Sequence, residues 1–327
     1  MKILVTYPNS IAGTLILKGF AEGFLKNSCT VVAKDLRELK PEDINTFEPD
    51  IIFGYDYGFL FYDNPELNQT ILNSSAKIIN YFADEPCGKF ALVEQNELFN
   101  KFLPIAKSKR ILSYIWDKDF VSTIPNAKYL PLAADVDKYS KYSQSNYKYE
   151  ISFVGRPLTE IRQQNLAQII KYFGNKLSIF SYEKHFLRSV EEIKPLLTPD
   201  ELEIYKSAYK GFLKTEKELA QVYSESKINL NITLQGSSNL NYRVFEVLAS
   251  KAFLLTDYMQ DLDELFKIDT DLVTYQNSEE LIAKIKLYIE NPKLREQIAK
   301  KGFERVKANH TYVARAKTIL DDIFMLN

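Results

Sequence analysis

The sequence predicts an α/β protein made of two successive parallel sheets, each covered by helices. Three observations carry that prediction. Short apolar runs alternate with segments of helical spacing through the first third of the chain. A polar, Tyr/Lys/Ser-rich stretch without a clear period follows at 133–149, and the alternation then restarts at Glu150. The length, 327 residues, suits two domains at about 150 residues each. Strands alternating with helices give parallel sheets, and ligands bind such sheets outside the carboxyl ends of the strands.

In the first half, strands are expected at 2–6, 30–33, 51–54, 77–82, 110–114 and 128–130. Between the first two, Leu17, Phe20, Ala21 and Phe24 fall at helical spacing, and a further helix is expected over 90–102. The stretch 136–149 is expected to be a linker between domains 1–135 and 150–311. In the second half a strand at 150–154 ends in Gly155, and a helix follows over 159–173. Strands at 177–180, 227–233 and 252–256 are separated by helical patterns, including a charged one over 186–210 interrupted by Pro195 and Pro199. Leu281, Ile285 and Tyr288 form one stripe of a helix over 279–290, with Asn277 or Ser278 as its cap and Glu279 and Glu280 suiting its N-terminal dipole. Pro292 opens another helix at its tolerated position, and a last helix over 312–325 has no strand after it.

Composition removes several classes of function. A hydrophobic share of 46% with 26% charged residues suits a globular chain rather than a disordered one. Lys+Arg 42 against Asp+Glu 43 gives net charge -1, which disfavours a general nucleic-acid binder. No apolar run approaches the ~18 residues of a membrane span. The first residues read directly into a strand, so no signal peptide is expected and the expected location is cytoplasmic. Cys29 and Cys87 stand alone, outside any CxxC pattern, and His185 and His310 are the only histidines. A structural zinc, a disulfide framework or a Ser-His-Asp triad is therefore not expected. No GxGxxG occurs, which disfavours a nicotinamide enzyme.

Four stretches have the residue types for chemistry. The richest is 227–257, where a strand runs into Gly236, Ser237, Ser238, Asn239 and Leu240 and a helix starts. Unpaired amides at a helix start, small hydroxyls and the helix dipole make an anion site. Arg243 and Glu246 lie three apart and share a face, so the Arg can meet a phosphate and the Glu two ribose hydroxyls. An ordinary capped helix with an ion pair fits the same spacing. The second stretch is Gly155 and Arg156 at a strand end with Arg162 six residues on, suited to a diphosphate, or equally a strand–turn–helix connection with surface arginines. The third is Asp84 and Glu85 after the strand at 77–82, where a catalytic carboxylate or a cap would sit. The fourth is the first strand-to-helix loop with Asn9 and Gly13. The pairs Asp117/Asp119, Asp135/Asp137, Asp261/Asp263 and Asp269/Asp271 have metal-diphosphate spacing but read as solvated surface or helix caps.

Together these residues resemble a family. Residues 238–257, SNLNYRVFEVLASKAFLLTD, look like the signature of the CgeB-like, spore-maturation type glycosyltransferases, a branch of the GT-B superfamily. The tail with Asn291-Pro292, Arg295, Gly302, Arg305-Val306, His310-Thr311-Tyr312 and Arg315 is also similar, as are 223–231, 130–135 and Asp84-Glu85-Pro86. The likeness is strong over 150–316 and thinner over 1–149. It implies a GT-B fold of two Rossmann-like domains facing a central cleft, with the C-terminal helix 312–327 crossing back to the N-terminal domain. It further implies that the second domain binds a nucleoside-diphosphate sugar, with UDP the expected nucleotide. Glu246 would hold the ribose. The amides of Ser237, Ser238, Asn239 and Leu240, with Gly155, Arg156, Arg162, Tyr182 and Arg243, would complete the donor site. Asp84 and Glu85 would be catalytic, and Asn9 and Gly13 would line the acceptor side.

Many GT-B relatives carry a second Glu eight residues before the ribose Glu. Ser238 stands there in this chain, which leaves the sugar contacts and the anomeric outcome open. No metal and no cofactor are expected, because arginines and a helix N-terminus meet the leaving diphosphate. The sequence does not name the acceptor, which would be a glycan, lipid-linked, protein or small-molecule hydroxyl; Lys101, Lys107, Lys109 and Arg110 suit peripheral contact with the inner face of a membrane, but a solvated face explains them more readily. A catalytically inactive GT-B subunit and a nucleotide-sugar epimerase are the alternatives.

Overall fold

The computed structural model describes residues 1–87, 93–143, 146–233 and 240–325. The chain forms two compact units, Met1–Ala133 with Thr311–Asn327, and Ala134–His310.

Unit 1 opens with strands β1 (Lys2–Tyr7), β2 (Thr30–Asp35), β3 (Ile51–Tyr55), β4 (Lys77–Phe82), β5 (Ile111–Ile115) and β6 (Ala127–Tyr129). Helices α1 (Ile11–Lys26), α2 (Pro41–Phe47), α3 (Pro65–Asn73) and α4 (Val93–Ala106) lie between them in sequence. The strands pair in parallel in the order β2-β1-β3-β4-β5-β6. Consecutive residues of β3, β4 and β5, including Ile51, Ile52, Phe53, Ile78, Ile79, Ile111 and Leu112, are buried, as a parallel sheet covered on both faces requires. Helix α1 starts where Ser10 accepts a hydrogen bond from the Gly13 N–H at 3.2 Å, and its Leu17, Phe20, Ala21 and Phe24 are buried. Strand order reverses between β1 and β3, so the switch point of this sheet lies at their carboxyl ends.

Unit 2 begins with α5 (Val136–Tyr142) and continues through β7 (Tyr149–Val154), α6 (Glu160–Phe173), β8 (Leu177–Phe180), α7 (Glu183–Ile193), α8 (Pro199–Ser207), β9 (Tyr209–Gly211), α9 (Glu216–Ser224) and β10 (Ser226–Asn231). It ends with α10 (Tyr242–Ala249), β11 (Leu254–Asp257), α11 (Leu262–Leu265), β12 (Val273–Tyr275), α12 (Ser278–Glu290) and α13 (Pro292–Asn309). Its parallel sheet has the order β12-β11-β10-β7-β8-β9, with the switch point between β7 and β10. Ile151, Phe153, Ile179, Ile228, Leu230 and Leu255 form the strand side of one core, and Leu166, Ile170, Leu281 and Ile285 the helix side.

Two features differ from the expectation. Within the stretch expected to connect the domains, Val136–Tyr142 form helix α5. Asp135 caps α5 by accepting from the Lys138 N–H at 3.1 Å, and Val136 and Tyr139 are buried within unit 2. Two apolar contacts in seven residues are too few to show a period. The charged helical pattern over 186–210 in turn closes on the short strand β9, and β12 also went unforeseen. Three residues cannot display an alternation.

The last helix, α14 (Tyr312–Met325), packs in unit 1. Tyr312 meets Phe20 of α1 edge-on at 5.2 Å, Arg315 Nε donates to Pro131 O at 2.8 Å, and Asp322 accepts from Tyr114 OH at 2.9 Å.

Candidate functional site

The switch point of unit 2 gathers most of the donor-side candidates. Gly155 follows β7 with φ +150°, in the region that side chains rarely adopt. A Cβ there would lie 2.9 Å from Nη2 of Arg243, so glycine makes room for that guanidinium. Arg243 sits in the first turn of α10 and donates from Nη1 to Asn231 Oδ1 at 2.7 Å. Asn231 ends β10 and is itself fixed, accepting from Asn241 Nδ2 at 2.8 Å and donating to Thr256 Oγ1 at 3.0 Å. The buried Nε of Arg243 has no partner among the described residues.

Arg162 comes from α6 and is buried. It braces two strand-end loops, donating from Nε to Ile232 O at 2.8 Å and from Nη1 to Arg156 O at 2.9 Å. Burial pushes its guanidinium down to about 9, the neighbouring Arg243 charge adds to the fall, and Asp257 opposes it. Both guanidinium carbons lie over the Phe153 ring, at 5.8 Å for Arg162 and 5.9 Å for Arg243. Two cations on one aromatic ring repel each other, and an anion placed between them would relieve that repulsion. Asp257 is held apart from this role by its own bonds, accepting from the Thr233 N–H at 3.0 Å and from the Thr233 hydroxyl.

One turn beyond Arg243, Glu246 is only 6% exposed. Its Oε1 accepts from the Tyr139 hydroxyl of α5, and its Oε2 accepts from the Tyr223 hydroxyl of α9 at 3.2 Å. Burial raises the carboxyl above the usual range, while the Tyr139 bond, the Arg243 charge and the Tyr223 bond pull it back. The expected i,i+3 pair thus becomes a cation aimed at Asn231 and a carboxylate held by two tyrosines.

Tyr182, which precedes α7, is 41% exposed, and its ring stacks on Phe212 with centroids 3.7 Å apart. Arg156 is exposed beyond β7, and the Leu240 side chain is buried. Ser237, Ser238 and Asn239 lie outside the described residues.

Unit 1 places the other candidates at its own strand ends. Asp84, exposed after β4, accepts from the Tyr55 hydroxyl, and Glu85 is half-buried beside it. The loop after β1 holds the exposed Asn9, while the expected loop residue Gly13 is buried in the first turn of α1. A Cβ on Gly13 would meet Pro8 Cγ at 2.6 Å and Ser10 Oγ at 2.7 Å, so this glycine lets the loop pack on the start of the helix.

Asp56 was not anticipated. It follows β3 at φ +45° and accepts from the Gly58 N–H. Burial pushes its carboxyl up to about 7, the Gly58 bond opposing and the Asp84 charge adding. Its signal was available, because Asp56 follows one apolar strand much as Asp84 follows another. Tyr139 and Asn231 were also missed, and Tyr139 carries no signal in a stretch without a period.

Of the aspartate pairs, Asp117 and Asp135 cap short helices as expected. Asp261 and Asp271 are instead buried, and Asp271 accepts from the Lys267 N–H at 2.9 Å and from Arg305 Nε at 3.0 Å. The Arg110 guanidinium donates to the carbonyls of Ser74 and Leu72. Among the described residues no group of three or more His, Cys, Asp or Glu has metal-binding geometry, and no helix is long and apolar enough to cross a membrane.

Residues 170–321 match the family described as glycosyl transferase-like. No curated protein matches the sequence. The chain is similar in structure to a glycosyltransferase from Rickettsia africae ESF-5, with TM-score 0.66 and 12% identity over 99% of this chain and 98% of that one. It is similar to HepE from Anabaena in complex with UDP, with TM-score 0.67 and 14% identity over 99% of this chain and 100% of that one. It is also similar to sucrose-phosphate synthase from Thermosynechococcus elongatus, with TM-score 0.67 and 9% identity over 99% and 98% of the two chains. Likeness at these identities establishes the fold, which is GT-B, and the glycosyl transferase-like match over residues 170–321 agrees with it.

Proposed function

We propose that the protein is a glycosyltransferase that moves a sugar from a UDP-sugar to a hydroxyl acceptor, without a metal ion. The observation that carries this reading is the Arg162 and Arg243 pair on Phe153, at the switch point beside the one glycine that leaves Arg243 room. The pair would hold the diphosphate, and Glu246 one turn on would hold the ribose. Support for uridine comes from the Anabaena relative in fold, whose structures contain UDP, UDP and glucose, and UDP-glucose. The motifs at 238–257 and 291–315 support the finer placement in the CgeB-like branch. A cytoplasmic location goes with this reading.

In the reaction the bond between the anomeric carbon and the diphosphate oxygen breaks, and its electron pair leaves with the nucleotide. The acceptor oxygen forms the new bond and gives its proton to a base. The growing charge on the leaving group is met by Arg162 and Arg243, whose side chains are already oriented by Ile232, Arg156 and Asn231, so little reorganisation is needed. Asp84 or Glu85 would orient the acceptor or take its proton.

A thermal-shift screen with UDP, GDP, TDP and CDP sugars tests the reading, since a bound ligand raises stability by RT ln(1 + [L]/Kd). UDP-sugars should give the largest shift, and free UDP should be released when a suitable acceptor is added. No shift with any nucleotide would refute the donor site. Binding without release of UDP under any acceptor would leave a nucleotide-binding subunit, and sugar isomerisation without release would leave an epimerase.

A further inference from the structure

The carboxylate assigned to the ribose is not a free group. Two tyrosine hydroxyls from different helices donate to it, one to each oxygen. An ionised carboxylate has about four acceptor positions, so two remain. Two is also the number of donors that a ribose offers through its 2′ and 3′ hydroxyls.

We propose that Tyr139 is a positioning residue for the donor ribose: together with Tyr223 it occupies one acceptor position on each oxygen of Glu246 and turns the remaining two toward the sugar. This rests on the donor reading above. The bonds supply what such a role needs. Tyr139 is 0% exposed and Tyr223 1% exposed, so neither hydroxyl has bulk water as an alternative partner. Burial raises both phenols well above their ordinary range, with the Glu246 charge adding, which favours the protonated, donating form. Burial raises the carboxyl, and the two tyrosine bonds oppose that rise by favouring the charged form.

Helix α5 is itself tied down near Tyr139. Asp135 caps it, and Ser143 Oγ, just past its end, donates to Ser250 O at 2.7 Å. Ser250 is the C-cap of α10, and its own hydroxyl donates to Glu246 O at 2.8 Å. The tyrosine and the glutamate are therefore joined through backbone as well as side chain, and the carboxylate orientation is set before any ligand arrives. Such pre-organisation spares a ligand the cost of fixing the group. A segment with the sequence character of a connection thereby supplies part of the donor site.

The test is calorimetric titration of wild type, Tyr139→Phe and Tyr223→Phe with UDP and with 2′-deoxy-UDP. The ratio of the two affinities reads the ribose contact and cancels any general loosening of the site. Wild type should prefer UDP by about 10- to 150-fold, the worth of one hydrogen bond to a charged group. Each variant should lose most of that preference, to roughly threefold or less, while binding the deoxy compound about as wild type does. A wild-type ratio retained in both variants would overturn the proposal. Tighter UDP binding by Tyr139→Phe would overturn it too, because the hydroxyl would then compete with the ribose. If wild type binds UDP and 2′-deoxy-UDP equally, Glu246 is not on the ribose, and the donor reading fails together with this proposal. Tyr223→Phe carries the test alone if Tyr139→Phe does not fold.

Discussion

Replacing Gly155 by alanine should damage folding and nucleotide binding together, through one side chain. The new Cβ would stand 2.9 Å from Arg243 Nη2, and the backbone would have to keep φ +150° with a side chain attached. A non-glycine residue held in such a region costs about 1–3 kcal/mol. The guanidinium would then have to move, breaking its 2.7 Å bond to Asn231, and a hydrogen bond of a charged group contributes about 1.5–3 kcal/mol. Their combination, roughly 2.5–6 kcal/mol, is a large part of a typical domain's stability. UDP affinity should fall by about 10- to 150-fold, since a displaced Arg243 loses one charge-assisted contact to the diphosphate. Gly174 provides the control. It has φ +55°, and a Cβ there would meet nothing within 4 Å. Gly174→Ala should carry only the backbone cost of holding φ 55° and ψ -126° with a side chain, about 1–3 kcal/mol, and leave UDP binding unchanged. Urea unfolding and UDP titration of both variants decide the matter. If Gly155→Ala behaves like Gly174→Ala in both, the coupling of Gly155 to Arg243 is wrong.

Other perturbations separate the remaining roles. Asp56 has a folded pKa of about 7 against an ordinary 3.8, so its protonated form stabilises the fold fully at low pH, and that stability is lost as pH rises through about 7. Wild type should therefore lose more thermal stability than Asp56→Asn between about pH 5 and about pH 8, and parallel curves would refute this. Asp84→Asn and Glu85→Gln should lower turnover with little change in UDP affinity; wild-type turnover in both and in the double variant would remove them from the reaction. Excess EDTA should leave activity intact, whereas complete loss restored by manganese would establish a metal requirement.

Much of the fold was legible because central strands contain short apolar runs. Ile51-Ile52-Phe53 within β3, and 150–154 before Gly155, announce buried parallel strands without help from neighbours. The site was less legible, because spacing gives a shared face but not what that face meets. Arg243 and Glu246 do share a helix, yet Arg243 turns to Asn231 and Glu246 to Tyr139 and Tyr223, partners 12, 107 and 23 residues away. Arg162 was picked for a guanidinium fork, but two of its N–H groups already hold backbone carbonyls, which makes it a brace as well as a charge. Helix α5 was hidden because its stability comes from one cap, from the burial of Val136 and Tyr139 and from the Tyr139 bond to Glu246, tertiary effects with no local period.

The most direct measurement is calorimetric titration of UDP into wild type and into Glu246→Gln, which keeps the side-chain volume and removes the charge. Circular dichroism first confirms that the variant is folded. The wild type should bind UDP in a one-to-one complex, and the variant about 10- to 150-fold more weakly, as expected for a lost hydrogen bond to a charged group. Equal affinity in the two folded proteins, or no binding to the wild type, would contradict a nucleotide site built on Glu246 and the two arginines.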